Sequence, residues 1–190
     1  METRFISDIH FGHKNAIRFD SRPFSDVSEM DEKMIEAWNS TVCDCDLTYI
    51  LGDVSWHDAA RSSEMLCRLK GRKILVRGNH DDQVSDKKFC RCFEDVVDYA
   101  DVRAPKTLGG SVVLSHYPIP FFKGAHYGRS HFYGHVHTGP EWLMMKKIRQ
   151  DISHMYSRNV RMLNVGCMMD YVQYVPRTFE ELYEESEKTF

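Results

Sequence analysis

Five short motifs along the chain combine the side chains that proteins use to bind metal ions. They are, in chain order, Asp8-Ile9-His10, Gly52-Asp53, Gly78-Asn79-His80-Asp81, Ser115-His116 and Gly134-His135-Val136-His137. Carboxylate, imidazole and carboxamide ligands together suit borderline ions such as manganese, iron or zinc better than a magnesium or calcium site made of oxygen atoms alone. Two such ions can share a water molecule and lower its pKa, which is how many enzymes hydrolyse phosphate esters. Hydrolysis of a phosphate ester is therefore the leading functional prediction.

Each motif taken singly is a weak signal. Asp-x-His and Gly-Asp arise by chance, and a lone histidine more often has a structural role than a metal-binding one. Gly-Asn-His-Asp after an aliphatic strand and Gly-His-x-His are longer, and the ordered combination of all five motifs within 190 residues makes chance a poor explanation. Seven of their side chains are the predicted metal ligands: Asp8, His10, Asp53, Asn79, His116, His135 and His137.

The motifs follow segments that are predicted to be β-strands. Three short runs of aliphatic and β-branched residues each end at a motif, namely residues 3–7, 47–51 and 73–76. Residues 58–69 have a helical composition, and the order strand, helix, strand favours parallel pairing with a helical crossover. Gly109-Gly110 predicts a hairpin turn into a strand at residues 111–114. Because both kinds of connection occur, the sequence predicts mixed sheets.

Two helix starts and one long loop are also predicted. Ser28 is a candidate N-cap for a helix whose apolar residues recur at helical spacing, and Thr178 with Glu181 has the pattern of a capping box for a closing helix. Residues 117–129 contain two prolines and two glycines among aromatic residues, which is typical of a loop beside His116.

Length and composition are typical of one intracellular domain. A chain of 190 residues and 22.3 kDa with 42% hydrophobic residues can bury a substantial core, so residues 1–190 are predicted to form a single domain. The N-terminus does not have the pattern of a signal peptide, and no apolar run is long enough for a membrane span, so we expect a cytoplasmic protein without membrane contact. Six cysteines in such a chain are expected to be reduced thiols. The formal charge of −3 gives no global signature of nucleic-acid binding.

The ordered set of motifs resembles the signature of the calcineurin-like metallophosphoesterase superfamily. The resemblance runs from Asp8 to His137, and Asn164-Val165-Gly166 is similar to the late strand of small bacterial and phage members. It implies an α/β fold, a four-layer αββα sandwich in which two mixed β-sheets are flanked by helices. It also implies two divalent transition-metal ions, with manganese expected first and iron, zinc or nickel as alternatives.

The same resemblance implies how the ligands divide. Asp8, His10 and His137 would bind one ion, Asn79, His116 and His135 would bind the other, and Asp53 would bridge them. The nucleophile would then be a hydroxide that bridges the metals, and no side chain would attack phosphorus.

His80 is the predicted general acid, because it belongs to the Gly-Asn-His-Asp motif without being needed as a ligand. It would protonate the departing alkoxide. Asp81 could hold the His80 imidazole protonated and oriented; the alternative for Asp81 is a helix N-cap, and both roles can hold at once.

Cations close to the motifs are candidates for binding the substrate phosphate. His13 and Arg77 are the predicted substrate-binding residues, since an Arg fork matches two phosphate oxygens. Lys14, Asn15 and Arg18 are weaker candidates of the same kind. Four further histidines are expected to be structural or solvent-exposed: His57, His126, His131 and His154.

The substrate stays open between several alternatives. A phosphomonoesterase and a phosphodiesterase are both compatible with the motifs, and nucleic acid or a nucleotide is a possible partner. A nuclease or cyclic-nucleotide phosphodiesterase would need a base-stacking surface, for which the sequence offers Tyr117, Phe121, Phe122 and Tyr127. A protein phosphatase is a further branch. A non-catalytic scaffold on this fold is the least favoured, because every signature position is filled.

Overall fold

A computed structural model describes residues 1–106 and 109–188, the last four of these by their backbone alone. Within these ranges the strands are β1 (Thr3–Ile6), β2 (Leu47–Ile50), β3 (Arg72–Val76), β4 (Asp95–Val97), β5 (Ala100–Arg103), β6 (Ser111–Leu114), β7 (Ser130–Tyr133), β8 (Arg161–Asn164) and β9 (Arg177–Thr178). The α-helices are α1 (Lys14–Phe19), α2 (Val27–Thr41), α3 (Ala59–Arg68), α4 (Lys87–Cys90), α5 (Pro140–Met155) and α6 (Phe179–Lys188).

The strands form two mixed sheets. The first has the order β4-β3-β2-β1-β9, in which β1 to β4 pair in parallel and β9 is antiparallel to β1. The second has the order β5-β6-β7-β8, in which β5 and β6 form an antiparallel pair and β6, β7 and β8 are parallel. The parallel pairs require crossover connections, and α2 and α3 supply them in the first sheet.

The two sheets face each other across aromatic side chains. The ring of Phe5 from β1 lies 5.0 Å from that of Phe132 from β7 and 4.5 Å from that of Phe179, both edge to face. Buried residues of both sheets belong to one hydrophobic cluster. Residues of α2 and α3 such as Met30, Trp38 and Leu66 pack on the same cluster from outside the first sheet.

A second hydrophobic cluster lies on the outer face of the second sheet. There Met145 and Ile152 of α5 pack with residues of β6, β7 and β8, including Val113 and Met162. The predicted α/β fold with two mixed sheets flanked by helices is therefore confirmed. The assignment of residues 1–190 to one domain stays a prediction. In the part of the chain that the structure describes, no helix combines the length and the apolar character needed to cross a bilayer.

Two helices differ from the sequence predictions. The N-cap of helix α2 is Asp26, two residues before the predicted Ser28, because the Asp26 carboxylate accepts the Glu29 N–H (2.9 Å) and caps the first turn. Helix α5 was not predicted, although Pro140 at its first turn is a known start signal. At the C-terminal end, Thr178 and Glu181 form the predicted capping box, with backbone-to-side-chain hydrogen bonds of 2.7 and 3.3 Å.

His131 is a fully buried histidine in the middle of β7. Its Nδ1–H donates to the Val113 carbonyl (3.0 Å), and its Nε2 accepts the Ile119 N–H (2.9 Å). This pairing suits the neutral ring, and burial lowers the pKa of His131 to about 4, well below its ordinary value.

We expect the protein to lose stability in mild acid through this residue. The unfolded chain takes up a proton on His131 below about pH 6.5, whereas the folded chain does so only near pH 4, so stability falls as the pH drops between these values. Over the whole interval from pH 6.5 to about pH 4, the free energy of unfolding should fall by about 3 kcal/mol. Urea unfolding at about pH 7 and about pH 4.5 measures the loss, and His131→Gln should show a smaller difference between the two pH values. An equal difference in both proteins would contradict the prediction.

Candidate metal centre

The predicted ligands are concentrated at strained backbone positions. Among the described residues, nine non-glycine residues have a left-handed backbone, and five of the nine are predicted ligands: Asp8 (φ 55°), His10 (φ 55°), Asp53 (φ 56°), His135 (φ 69°) and His137 (φ 45°). Each such position costs about 1–3 kcal/mol and persists only where the surrounding structure enforces it, most often at functional sites. The local conformation therefore points to the same residues as the motifs.

Loops at the carboxyl ends of five strands bring these residues together. Asp8 and His10 follow β1, Asp53 follows β2, and the Gly78-Asn79 turn follows β3. His116 follows β6, and the last motif follows β7. Backbone hydrogen bonds connect the loops, from the Asp8 N–H to the Gly52 carbonyl (3.1 Å) and from the His10 N–H to the Asp53 carbonyl (3.0 Å).

Glycine allows the loops after β2 and β3 to touch. Gly52 has a left-handed backbone (φ 87°), and a Cβ there would lie 2.6 Å from the Gly78 Cα and 2.5 Å from the His116 Nδ1. A side chain at Gly52 would therefore push apart two of the loops that carry ligands.

The first group of ligands contains Asp8, His10 and His137. One ligand atom from each lies within 4.8 Å of the others. The Nε2 atoms of His10 and His137 are 3.3 Å apart, and the His137 Nε2 is 3.7 Å from an Asp8 carboxylate oxygen.

The second group lies beside the first and shares its carboxylates. Asp8, Asp53 and His116 again have ligand atoms within 4.8 Å of one another. Oδ1 of Asp53 is 3.6 Å from the His116 Nε2, while its Oδ2 is 3.7 Å from the His10 Nε2. The Asn79 Oδ1 lies 2.9 Å from both the His116 Nε2 and the His135 Nδ1. The structure thus places all seven predicted ligands together, with Asp53 between the two groups.

Hydrogen bonds behind the site orient two of the imidazoles. The His116 Nδ1–H donates to the Leu51 carbonyl (2.7 Å), which leaves the lone pair of Nε2 directed at Asp53 and Asn79. The His137 Nδ1–H donates to the Asp20 carboxylate (2.8 Å), which leaves Nε2 directed at Asp8. A partner of this kind fixes the tautomer and ring orientation of metal-binding histidines.

Arg22 holds both Asp20 and the first motif. Its guanidinium donates to the Asp20 carboxylate at 2.9 and 3.0 Å and to the carbonyls of Asp8 (2.9 Å) and Ile9 (2.8 Å). The residue is buried, so removing it would leave these acceptors without donors. Sequence analysis missed Asp20 and Arg22, since neither belongs to a motif and their partners are distant in the chain.

The buried ligands are electrostatically mismatched to a site without a cation. Burial raises the pKa of Asp8 and lowers the pKa of His10 and of His135. Burial also acts to lower the pKa of His137, but the hydrogen bond to Asp20 and the charge of Asp8 outweigh it and raise that pKa. Buried charges in proteins are paired or bind metals. A divalent cation would stabilise the carboxylates and accept the imidazole lone pairs, so the residues present fit such an ion.

His80 lies at the exposed edge of this site. Its backbone N–H donates to the Asp53 Oδ1 (3.0 Å), and its ring centroid is 6.3 Å from that of His10 and 4.7 Å from that of Trp56. The imidazole is thus outside the two ligand groups and open to solvent, as a proton donor to a departing oxygen must be.

Asp81 is engaged with the backbone of two neighbouring loops. Its carboxylate accepts the N–H groups of Asp53 (2.9 Å), Val54 (2.9 Å) and Gly78 (2.7 Å). It precedes a short 3₁₀ turn without capping it through the side chain. Among the described residues, the Asp81 carboxylate makes no hydrogen bond with the His80 imidazole, so the role of Asp81 in orienting His80 stays a prediction. The observed contacts position the Asp53 loop against the Gly78 turn.

The two predicted substrate-binding residues have different surroundings. The His13 ring stacks on that of Trp56 (centroids 4.1 Å apart, 18° between planes) and lies 5.3 Å from that of His10. Arg77 forms an exposed ion pair with Asp98 (2.7 Å) and lines a cavity of about 440 Å³ that also reaches Asn79. Their roles towards a substrate stay predictions.

The aromatic residues at the site differ from those selected from the sequence. Phe122 is buried in the second hydrophobic cluster, so it is not available to stack with a base. Tyr117 is half-exposed and lies 4.4 Å from the His135 ring. Trp56, which sequence analysis did not single out, is half-exposed and contacts His10, His13 and His80.

Comparison with known proteins places the chain in a family. The family model described as calcineurin-like phosphoesterase matches residues 1–149. The chain belongs to the calcineurin-like phosphoesterases. This confirms the resemblance on which the ligand assignment was based. The family is named for the hydrolysis of phosphate esters, and the clusters of aspartate and histidine are suited to divalent metal ions.

The chain is similar to several individual proteins. It is 46% identical over 78 residues to an uncharacterized protein of Methanocaldococcus jannaschii, an alignment that covers 40% of this chain and 44% of that one. It is 34% identical over 131 residues to the Gene 66 protein of Mycobacterium phage L5, covering 61% of this chain and 63% of that one. The chain therefore spans less than two thirds of these relatives. A crystal structure of a protein of unknown function from Aquifex aeolicus superposes with a TM-score of 0.69 at 26% identity, covering 97% of this chain and 98% of that one.

Trp56 provides a test of the predicted metal binding by His10. Its indole N–H donates to the His10 Nδ1 (3.0 Å), so the proton of the neutral His10 ring is on Nε2, which faces the His137 Nε2. To offer the Nε2 lone pair to a metal, His10 must carry its proton on Nδ1. The Trp56 N–H then loses its acceptor.

We expect the Trp56 emission to change when Mn²⁺ is added to chelator-treated protein. The change should disappear in Trp56→Phe and persist in Trp142→Phe, which replaces a tryptophan packed against the hydrophobic clusters. Fluorescence titration with parallel calorimetry measures it. Metal binding by the wild type without any emission change, or an unchanged response in Trp56→Phe, would contradict this account of His10.

Proposed function

We propose that this protein hydrolyses phosphate esters with two divalent ions held by the seven predicted ligands, and with His80 as the general acid. The observation that carries the proposal is the position of Asp53. Its two carboxylate oxygens are directed at different imidazoles, His116 on one side (3.6 Å) and His10 on the other (3.7 Å). One carboxylate between two groups of ligands is the arrangement expected of a two-metal hydrolase.

Bound divalent ions would neutralise the phosphate charge and activate water for attack on phosphorus. The chain contributes the remaining steps. Its ligands are pre-positioned by Asp20, Arg22 and Asp81, so little reorganisation is needed when a substrate binds. The exposed His80 imidazole would donate its proton to the leaving oxygen, which matters most when the leaving group is a poor one.

A phosphodiesterase that acts on nucleotides is the second candidate. Three half-exposed aromatic side chains surround the ligands: Phe19 beside His137, Trp56 beside His80, and Tyr117 beside His135. Such a rim can stack with a nucleobase. The mixture of nitrogen and oxygen donors favours a transition-metal ion over magnesium or calcium, and manganese is the ion that we expect first.

Chelation and reloading test the proposal. Protein treated with a chelator should lose activity on p-nitrophenyl phosphate, bis(p-nitrophenyl) phosphate, cyclic nucleotides and single-stranded DNA, and Mn²⁺ should restore it better than Mg²⁺ or Ca²⁺. The substrate with the highest kcat/KM distinguishes monoesterase from diesterase. Activity that survives prolonged chelation would overturn the metal assignment, and metal-loaded protein without activity on any of these substrates would overturn the hydrolase.

A further inference from the structure

A cavity of about 780 Å³ lies next to the metal centre, and the proposed reaction does not use it. Its walls are formed by α1, by the start of α2 and by the start of α3. The charged side chains among its lining residues are Lys14, Arg18, Arg61, Asp26 and Asp31, together with His57.

The two carboxylates of this cavity already have hydrogen-bond partners within the protein. The Asp26 carboxylate caps α2 by accepting the Glu29 N–H (2.9 Å). The Asp31 carboxylate accepts the Gly12 N–H (2.9 Å) and pairs with the His57 Nε2 (3.0 Å). Among the described residues, neither carboxylate forms an ion pair with Lys14, Arg18 or Arg61.

The three cations that line the cavity make few hydrogen bonds or ion pairs. Arg61 forms an exposed ion pair with Glu64 (2.8 Å). The Lys14 ammonium and the Arg18 guanidinium make no hydrogen bond or ion pair with any residue in the ranges 1–106 and 109–188. Two free cations and a third nearby thus face a concave space large enough for a small anionic group, which favours binding of an anion.

The cavity lies beside the two loops that carry His13 and Trp56. Lys14 follows His13, whose ring lies 5.3 Å from that of His10. His57 follows Trp56, whose indole nitrogen is 3.0 Å from the His10 Nδ1. His13 and Trp56, whose rings stack, thus contact His10 and are each followed in the chain by a residue that lines the cavity.

We propose that this cavity is a second anion subsite, which binds a second phosphate of the substrate while the phosphate to be cleaved lies at the metal centre. The inference rests on the proposed function and names its substrate class: a compound with at least two phosphate groups, such as a nucleoside bisphosphate or a short single-stranded oligonucleotide. Arg18 can bind such a phosphate through two parallel N–H groups, and Lys14 adds a point charge. A simple monoester would leave the subsite unused.

The first experiment measures binding without metal and without turnover. Thymidine 3′,5′-bisphosphate and thymidine 5′-monophosphate are titrated into chelator-treated protein by calorimetry. The wild type should bind the bisphosphate more tightly, and Arg18→Glu should weaken that binding roughly tenfold. Lys147→Glu makes the same charge change on the exposed surface of α5, away from the cavity, and should bind as the wild type does. The milder Arg18→Gln and Lys14→Gln variants replace Arg18→Glu if it does not fold.

The second experiment uses turnover by Mn²⁺-loaded protein. Thymidine 5′-(p-nitrophenyl phosphate) is compared with the same compound carrying a 3′-phosphate. The wild type should favour the 3′-phosphorylated compound by about tenfold in kcat/KM. In Arg18→Glu the ratio of the two kcat/KM values should fall towards one, whereas Lys147→Glu should keep it.

The two experiments separate failure of the subsite from failure of the proposed function. Equal binding of the bisphosphate by wild type and Arg18→Glu overturns the subsite even if the enzyme is active. If neither ester is hydrolysed, the proposed function is overturned. The binding experiment then still decides whether the cavity holds a phosphate. Arg18-dependent binding of hexathymidylate that is tighter than that of the bisphosphate supports the subsite and assigns it to nucleic acid. Weaker binding of hexathymidylate supports a nucleotide as the source.

Discussion

Asp53→Asn is expected to lower phosphoesterase activity by about 10³-fold or more and to weaken metal binding. The substitution keeps the size of the side chain but removes its charge and replaces one oxygen by an amide donor. One Asp53 oxygen already accepts the His80 N–H (3.0 Å) and lies near the His116 Nε2, and the other faces the His10 Nε2. An amide group on either side would present hydrogens where a cation should bind.

Metal analysis of the purified variant, calorimetric titration with Mn²⁺ and kcat/KM on the preferred ester measure these effects. Asp151→Asn is the matched control, since it makes the same change at an exposed position of α5. It should retain wild-type metal content and activity. If Asp53→Asn bound metal and turned over as the wild type does, Asp53 could not be the shared ligand.

His80→Ala is expected to reduce activity by an amount that depends on the leaving group. On an alkyl phosphate the loss should be about 10²–10⁴-fold, since the departing alkoxide needs a proton. On a p-nitrophenyl ester the loss should be much smaller, because nitrophenolate is stable without one. Metal content should be retained, since the His80 ring is outside both ligand groups and only its backbone N–H touches Asp53.

A plot of log kcat against leaving-group pKa for wild type and variant provides the measurement. His154→Ala removes an exposed imidazole at the end of α5 and serves as the control. Equal losses for good and poor leaving groups would assign His80 to substrate binding or structure. Wild-type rates on the alkyl phosphate would remove it from the mechanism.

The sequence was sufficient to predict the fold class and to select residues that converge at the site. The reason is local: each ligand motif directly follows an apolar strand, and the carboxyl ends of parallel strands meet at one edge of a sheet. Left-handed backbone at five of the seven ligands shows that the motif residues themselves make the sharp turns out of the strands. Sequence patterns report such short-range relations well.

In helix α5 the apolar pattern of the sequence was too weak to predict the helix. Its buried residues Met145, Arg149 and Ile152 recur at helical spacing, but a buried arginine interrupts the apolar stripe. The Arg149 side chain is accommodated because its Nε–H donates to the Val160 carbonyl (2.8 Å), a contact with the strand that follows. Only tertiary structure makes that residue compatible with burial.

The sequence by itself selected the seven predicted ligands, the strands that position them and the family that the signature resembles. Tertiary structure alone decided what surrounds them. It brought Asp20 and Arg22 behind His137, Trp56 between His10 and His80, and the free cations of α1 into a cavity beside the centre. These contacts join residues far apart in the chain or on elements whose packing no local pattern encodes. Whether a side chain such as Arg22 is a solvated surface cation or a buried anchor depends on which chain segments fold over it, so its role could be read only from the folded molecule.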